Sequence, residues 1–294
     1  MKAYLDCIPC FFRQALEGSR IIRATPKQQK QIIDEFSRKI PEISLRTSPP
    51  EIARFGYSIL SKISPGKDPY KEIKQKSNRI ALRLLGRLRN KVGLSKDRLL
   101  TALELAIAGN IIDFGAKNNL NIKDELKKIL ALEERFIHKK PIFHYTEFRQ
   151  ALKNSNSILY LADNAGEVVF DRILIEEIKR IYPAKDIYYA VKAKPVINDA
   201  LLEDAKFCGV DKAAKIISNG SDAPGTVLFL CSREFKKIYR NSDMIISKGQ
   251  GNFESLSDEI RPIFFLFTVK CQVVANECGA KIGSIVLIRN FNKQ

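Results

Sequence analysis

The chain of 294 residues has no tryptophan, two methionines and two histidines, His138 and His144. So few imidazoles exclude a histidine-rich zinc hydrolase and leave general-base work to carboxylates. No run approaches the roughly 20 apolar residues of a membrane-spanning helix, so no membrane partner is expected. Met1-Lys2-Ala3-Tyr4-Leu5-Asp6 lacks the apolar core of a secretory signal, which makes the cytoplasm the expected compartment. The pattern G-x-x-x-x-G-K-[ST] does not occur, and no G-x-G-x-x-G follows a strand-like run. A P-loop nucleotidase is therefore not supported and a dinucleotide site is weakened. Internal repeats and low-complexity tracts are also missing.

What is present is positive charge, unevenly spread. The net charge is +17; residues 1–150 carry 30 Lys and Arg against 16 Asp and Glu, and residues 151–294 carry 20 against 17. The excess concentrates between Lys67 and Arg98. There Arg79, Arg83 and Arg87 recur every four residues, and Ile80, Leu84, Leu88 and Val92 form an apolar stripe on another helical face. The basic helix over 67–98 reads either as a nucleic-acid surface or as a solvated face that also draws in anionic substrates. Nucleic acid is not the expected partner, because no aromatic residue interleaves the arginines as a base-stacking platform requires. Many Lys, Ile and Arg with little Met would suit a thermophile surface.

Six cysteines, Cys7, Cys10, Cys208, Cys231, Cys271 and Cys278, do not read as a disulfide scaffold in a cytosolic chain of this size. Cys7-Ile8-Pro9-Cys10 is a C-x-x-C pair, and with Cys271 and Cys278 it could close a four-thiolate zinc site. The same residues also read as small apolar core groups. No strand precedes Cys7, which argues against a thioredoxin-type role.

Apolar residues recur at helical spacing over 11–22, 28–40, 51–63, 70–92, 99–112 and 125–137, punctuated by proline and glycine. From residue 142 the texture changes. Short runs rich in Val, Ile, Tyr and Phe at 158–162, 187–191, 215–217, 244–246, 263–269 and 284–288 alternate with helical segments. The expected class is α/β: a mainly parallel sheet with helices on both faces over 141–294, preceded by an all-helical N-terminal domain over 1–140. The boundary is placed near Lys139-Lys140-Pro141.

The most informative run is Asp163-Asn164-Ala165-Gly166-Glu167, fed by the apolar stretch Ile158-Leu159-Tyr160-Leu161-Ala162. In open α/β sheets the chemistry sits at the carboxyl ends of strands. Two further strand-like runs also end in polar groups, one at Lys192 through Asn198-Asp199 and one at Lys248-Gly249-Gln250-Gly251-Asn252. Hard divalent cations favour oxygen ligands and bridge carboxylates to substrate phosphate. Asp163 and Asp199 supply carboxylates, and the Asn164 amide supplies a neutral oxygen. The run 163–167 is also compatible with a simple turn. Lys248 followed by Gly249 reads as a phosphate clamp, with the lysine as a point charge. Ser218 and Ser221, in a small-residue segment after another strand, could add hydroxyl donors, or the segment is just a flexible loop. Asn110 and Asp113 lie three apart on one helical face amid apolar surface, either facing a cleft or closing a helix contact made by Gly109.

Taken together, Cys7-x-x-Cys10, Asn110-x-x-Asp113, Asp163-Asn164-Ala-Gly-Glu167, Lys194-Pro-x-x-Asn198-Asp199, Lys248-Gly-Gln-Gly-Asn252 and Lys270-Cys271 resemble the damage-control phosphatase family, long called domain of unknown function 89. The terminal cysteines resemble its C-x-x-C-containing, largely prokaryotic branch. The resemblance spans nearly the whole chain. It implies a helical region joined to a three-layer α/β/α domain. It also implies a metal-dependent phosphatase acting on small phosphorylated metabolites, such as sugar phosphates or damaged cofactor intermediates. Asp163, Asn164 and Asp199 match the family's metal ligands, for Mg²⁺, Mn²⁺, Co²⁺ or Ni²⁺. Lys248 matches its phosphate-contacting lysine, and Asn110 and Asp113 its substrate-side positions. The family pattern often has glycine where this chain has Ala193. In the mechanism this implies, Asp163 is nucleophile or base, Asp113 and Glu167 handle protons, and Ser218, Ser221, Gly249 and Asn252 hold substrate. Three alternatives stand beside it: an S-adenosylmethionine-dependent carboxyl methyltransferase, a nucleic-acid-binding protein using the 67–98 helix, and a zinc or iron–sulfur protein built on the cysteines.

Overall fold

The computed structural model describes residues 1–63, 68–109 and 142–290. The N-terminal region forms helices α1 (Cys7–Ile21), α2 (Pro26–Lys39), α3 (Pro49–Ile63), α4 (Lys71–Leu94) and α5 (Arg98–Ala108). Local chemistry sets their starts. Thr25 opens α2 through a capping box with Gln28, with Pro26 in the first turn. Asp97 opens α5 by accepting from the Leu100 N–H at 3.0 Å. Asn110, Asp113, the helical pattern over 125–137 and the boundary at 139–141 lie outside the described residues.

The rest of the chain alternates as β1 (Ile142–Phe143), α6 (Tyr145–Asn154), β2 (Ser157–Leu161), α7 (Val168–Ile181), β3 (Asp186–Val191), α8 (Leu202–Phe207), β4 (Lys215–Ser218), α9 (Arg233–Asn241), β5 (Met244–Lys248), α10 (Gln250–Leu256), β6 (Ile263–Thr268), α11 (Gln272–Cys278) and β7 (Ile285–Arg289). The seven strands form one sheet in the order β1-β7-β6-β5-β2-β3-β4. All pairings are parallel except β6 with β7. Helices cover both faces, giving an α/β/α sandwich.

One face carries Ile158, Tyr160, Tyr189 and Ile246 and packs on α4, α5 and α7. The other carries Leu159, Leu161, Ile245 and Phe265 and packs on α9, α10 and α11. Strand alternation thus sends successive side chains into two separate cores. On α4 the stripe Ile80, Leu84, Leu88 and Val92 is buried while Arg79, Arg83 and Arg87 are exposed. Helices α4 and α5 therefore share the sheet's core, whereas α1–α3 close around their own cluster of Phe11, Ile32, Phe36, Ile52, Ile59 and Leu60.

Strands β2 to β6 run in one direction, so their carboxyl ends meet at one edge. From β2 the chain moves outward to β3 and β4, then returns to β5 on the opposite side of β2. That reversal opens a crevice between the ends of β2 and β5, the place where ligands bind in this class of sheet.

Candidate active site

A cleft of about 1510 Å³ lies over that edge. Its floor includes Asp163, Asn164, Glu167, Asn198, Asp199 and Lys270, and its roof comes from α1 and α3, including Cys10, Gln14, Tyr57 and Pro50. The helices with their own core therefore cap the carboxyl edge of the sheet. Arg54 of α3 grips Asp222 of the β4–α9 loop at 2.5 Å and 3.2 Å, and the N-terminal ammonium donates to the Glu254 carbonyl at 2.8 Å.

The turn after β2 and the loop after β3 are clasped by their backbones. Asn164 and Asp199 form an isolated antiparallel bridge. The Ala200 N–H donates to the Asp163 carbonyl at 2.8 Å, and the Ala165 N–H donates to the Asn198 carbonyl at 2.9 Å. Asp163 and Asp199, 36 positions apart in the chain, thus reach one rim. Burial pushes the Asp163 carboxyl up to about 6, and the neighbouring Asp199 charge adds to the rise. Asp199 is pushed up to about 6, again mainly by burial, with Lys192 opposing. Its Oδ2 sits 3.5 Å from Lys192 Nζ and has no hydrogen-bond partner. Lys192 itself donates to the Gly225 carbonyl.

Asn164 Nδ2 donates to Asp163 Oδ2 at 2.9 Å and to Glu167 Oε1 at 2.8 Å. Glu167 is buried and its carboxyl is pushed up to about 7, chiefly by desolvation and against the pull of Lys248. Lys248 does not line the cleft. Its ammonium is 0% exposed and donates to Asp171 Oδ1 at 2.7 Å and Glu167 Oε2 at 3.2 Å. Burial alone would pull Lys248 down, but Asp171 and Glu167 outweigh it and hold the ammonium charged. Among the described residues the lysine that faces the cleft is the exposed Lys270, whose charge pulls the Asp163 and Glu167 carboxyls down.

Gly249 has φ +83° and ψ 155°, a region only glycine occupies without strain. A Cβ there would overlap the Asp163 carboxylate. Glycine is needed so that the β5 turn can press against the β2 turn. Gly249→Ala is expected to cost about 1–3 kcal/mol in unfolding free energy from backbone strain alone. An alanine variant with unchanged melting temperature would contradict this placement.

Asn252, Ser218 and Ser221 do not line the cleft. Asn252 is buried, donating to the Lys248 carbonyl at 2.7 Å and the Ala162 carbonyl at 3.1 Å and accepting from the Thr226 hydroxyl at 2.7 Å. Ser218 is exposed, and its oxygen accepts from the Gly220 N–H at 3.1 Å. Ser221 is buried and accepts from the Ala223 N–H at 3.0 Å. Neither serine lines the cleft; both shape the loop that carries Asp222, as Ser commonly does in turns.

Two further groups support the site without standing in any of the motifs. Asn78 of α4 accepts from the Gly166 N–H at 2.7 Å and donates to Asp204 at 2.7 Å, holding the turn from outside the sheet. Lys74, one helical turn earlier, is buried against Asp68 at 2.6 Å. The signal that could have found both is the buried stripe of α4, which continues toward its start as Lys74, Ser77 and Asn78. The four-cysteine zinc site is corrected. Cys7, Cys10 and Cys271 reach the cleft, but Cys278, the last residue of α11, is buried and does not line it. Among the described residues no three His, Cys, Asp or Glu side chains are grouped to hold an ion by themselves.

Comparison with known proteins agrees with this fold. The damage-control phosphatase ARMT1-like domain matches residues 3–286. A damage-control phosphatase of Pyrococcus horikoshii is 34% identical over 296 residues, covering 99% of each chain. Another from Archaeoglobus fulgidus is 31% identical, covering 97% of this chain and 98% of the relative. An uncharacterized protein of Methanocaldococcus jannaschii is 37% identical over 98% of this chain and 96% of its own length. The crystal structure of a Pyrococcus horikoshii protein of the domain-of-unknown-function-89 family superposes with a TM-score of 0.90 at 34% identity, covering 99% of this chain and all of that one. With its α/β/α sheet, its capped carboxyl edge and this match along almost its whole length, the chain belongs to the damage-control phosphatase ARMT1-like family.

Proposed function

We propose that this phosphatase-family chain is metal-dependent and hydrolyses small phosphoric monoesters at the clasped rim of β2 and β3. The observation that carries the reading is the pairing of Asp163 with Asp199. Two neighbouring carboxyls raised mainly by burial, Asp163 further by the Asp199 charge and Asp199 further by Glu167, are an unfavourable arrangement unless a cation or proton neutralises them. The buried Asp199 Oδ2 without a hydrogen-bond partner fits that reading. Asp163, Asp199 and the Asn164 amide oxygen would hold a divalent ion, with water and substrate oxygens completing its shell, as suits Mg²⁺.

A bound divalent ion would polarise the phosphoryl group and offset negative charge developing on it. The chain's own groups do the rest. Asp163 stands at the cleft floor as nucleophile or as the base that orients water. Glu167, with its carboxyl near neutrality, is placed to hold and pass a proton. Lys270 takes the point-charge role toward phosphate that the sequence pattern assigns to Lys248. The roof of α1 and α3 shields the site from water.

The test is phosphate release from a panel of phosphorylated metabolites with Mg²⁺, Mn²⁺, Co²⁺ or Ni²⁺, and with chelator. Release that needs the ion and disappears with chelator is expected. Release indifferent to chelator, or none across the panel with any ion, would overturn the reading.

A further inference from the structure

Lys248 sits in an arrangement that a phosphate clamp does not explain. Tyr160 lies opposite Ile246 in the β2–β5 pairing and opposite Tyr189 in the β2–β3 pairing. Because side chains alternate along a strand, Lys248, two residues beyond Ile246, projects to the same face as both tyrosines. Helix α7 covers that face, and Glu167 and Asp171, four residues apart at its start, stand one above the other.

The result is a buried column. At its foot Asp171 accepts from Tyr160 Oη at 2.7 Å and Tyr189 Oη at 2.8 Å. Lys248 bridges Asp171 at 2.7 Å to Glu167 at 3.2 Å. At the top Glu167 accepts from Asn164 Nδ2 at 2.8 Å, and Asp163 accepts from the same nitrogen at 2.9 Å.

We propose that Lys248 is a positioning residue: anchored by Asp171, Tyr160 and Tyr189, it fixes Glu167, which turns Asn164 so that its amide oxygen faces the cleft as a divalent-cation ligand. This rests on the metal-dependent phosphatase reading above. An amide whose nitrogen serves two carboxylates has only its oxygen left to offer a cation. The reversed amide would set that oxygen against two carboxylates. Lys248 holds Glu167 in reach of the amide, and Asp171 sets Lys248 while the two phenols hold Asp171 in place without adding charge. Outer partners that orient metal ligands in this way tune metal affinity rather than substrate contact.

The experiment compares wild type, Lys248→Met and the isosteric pair Tyr160→Phe/Tyr189→Phe. It reads Mn²⁺ affinity by calorimetry and electron paramagnetic resonance, the melting temperature, and steady-state kinetics at saturating Mn²⁺. The expected result for Lys248→Met is a Mn²⁺ Kd raised about 10–100-fold, with KM at saturating Mn²⁺ changed by less than about twofold. A raised KM with unchanged Mn²⁺ Kd would restore the phosphate-clamp role and overturn the proposal. A lowered melting temperature with unchanged Mn²⁺ Kd would reduce the column to a structural support and overturn it equally. Should Lys248→Met fail to fold, the tyrosine pair decides on the same readouts, since it removes the anchor without a cavity or a lost charge. A wild type that binds no Mn²⁺ overturns the metal-dependent reading and this proposal together. A wild type that binds and hydrolyses while the variants bind equally well overturns only this one.

Discussion

Asp163→Ala removes metal-dependent phosphate-ester hydrolysis by at least roughly 10³-fold while the protein stays folded. The two halves of that expectation have separate causes. Activity is lost because the carboxylate is at once the proposed ion ligand and the group placed to attack or to orient water, so no neighbour replaces it. The fold survives because the turn is clasped through main-chain atoms: the Asp163 carbonyl accepts from Ala200 whatever side chain stands at 163. The substitution also removes a buried carboxyl that is costly to ionise, raised by desolvation and by the neighbouring Asp199 charge. In metal-free buffer the variant should therefore melt no lower than wild type, the usual relation between active-site strain and stability. Phosphate release in single-turnover and steady-state assays, with melting curves in chelator, checks both halves. Retained turnover would remove Asp163 from the chemistry, and turnover lost together with the fold would make it a structural residue.

The parts of this architecture that were legible from sequence are those where local pattern and tertiary role coincide. The run 158–162 is apolar and stops at a carboxylate because β2 is buried on both faces and its end meets the cleft. Asp163 stands two residues past the end of β2 and Asp199 in the loop after β3, where polar residues follow an apolar run. The basic arginines of α4 also show their solvent face by spacing alone. What remained hidden depends on register or on distant packing. Lys248 closes a strand in the sequence, but whether it points to the cleft or beneath it is fixed by the β5–β2 register, which places it under α7. Asn78 looks like one more polar residue in a charged helix until α4 is laid against the turn at Gly166. The two-residue strand β1 is too short to carry a period, and the antiparallel direction of β7 is set by its connection rather than its composition. The serines at 218 and 221 show the converse: small polar residues after a strand signal a turn as readily as a ligand site, and here they build the turn.

Acid should stabilise the metal-free protein, and metal should offset much of that dependence. Burial raises Asp199 from 3.8 to about 6 and Glu167 from 4.5 to about 7. In the unfolded chain both titrate near their ordinary values, so between about pH 4 and 7 the folded state holds more protons than the unfolded one. Stability must then fall as pH rises through that window, by about 3 kcal/mol for a carboxyl shifted as far as Asp199. A divalent ion needs the ionised form, so its binding releases protons and gains strength across the same window. At an ion concentration of about 100 Kd at pH 7.5 the gain is about 2.7 kcal/mol, and at pH 5 it should nearly vanish. Thermal unfolding at pH 5.0 and 7.5, with chelator and with Mn²⁺, measures both slopes. The expected pattern is a metal-free melting temperature higher at pH 5.0 and a Mn²⁺-induced rise confined to pH 7.5, with Asp199→Asn flattening both. Equal stabilisation by Mn²⁺ at the two pH values would mean that the ion, wherever it binds, does not displace protons from these carboxyls.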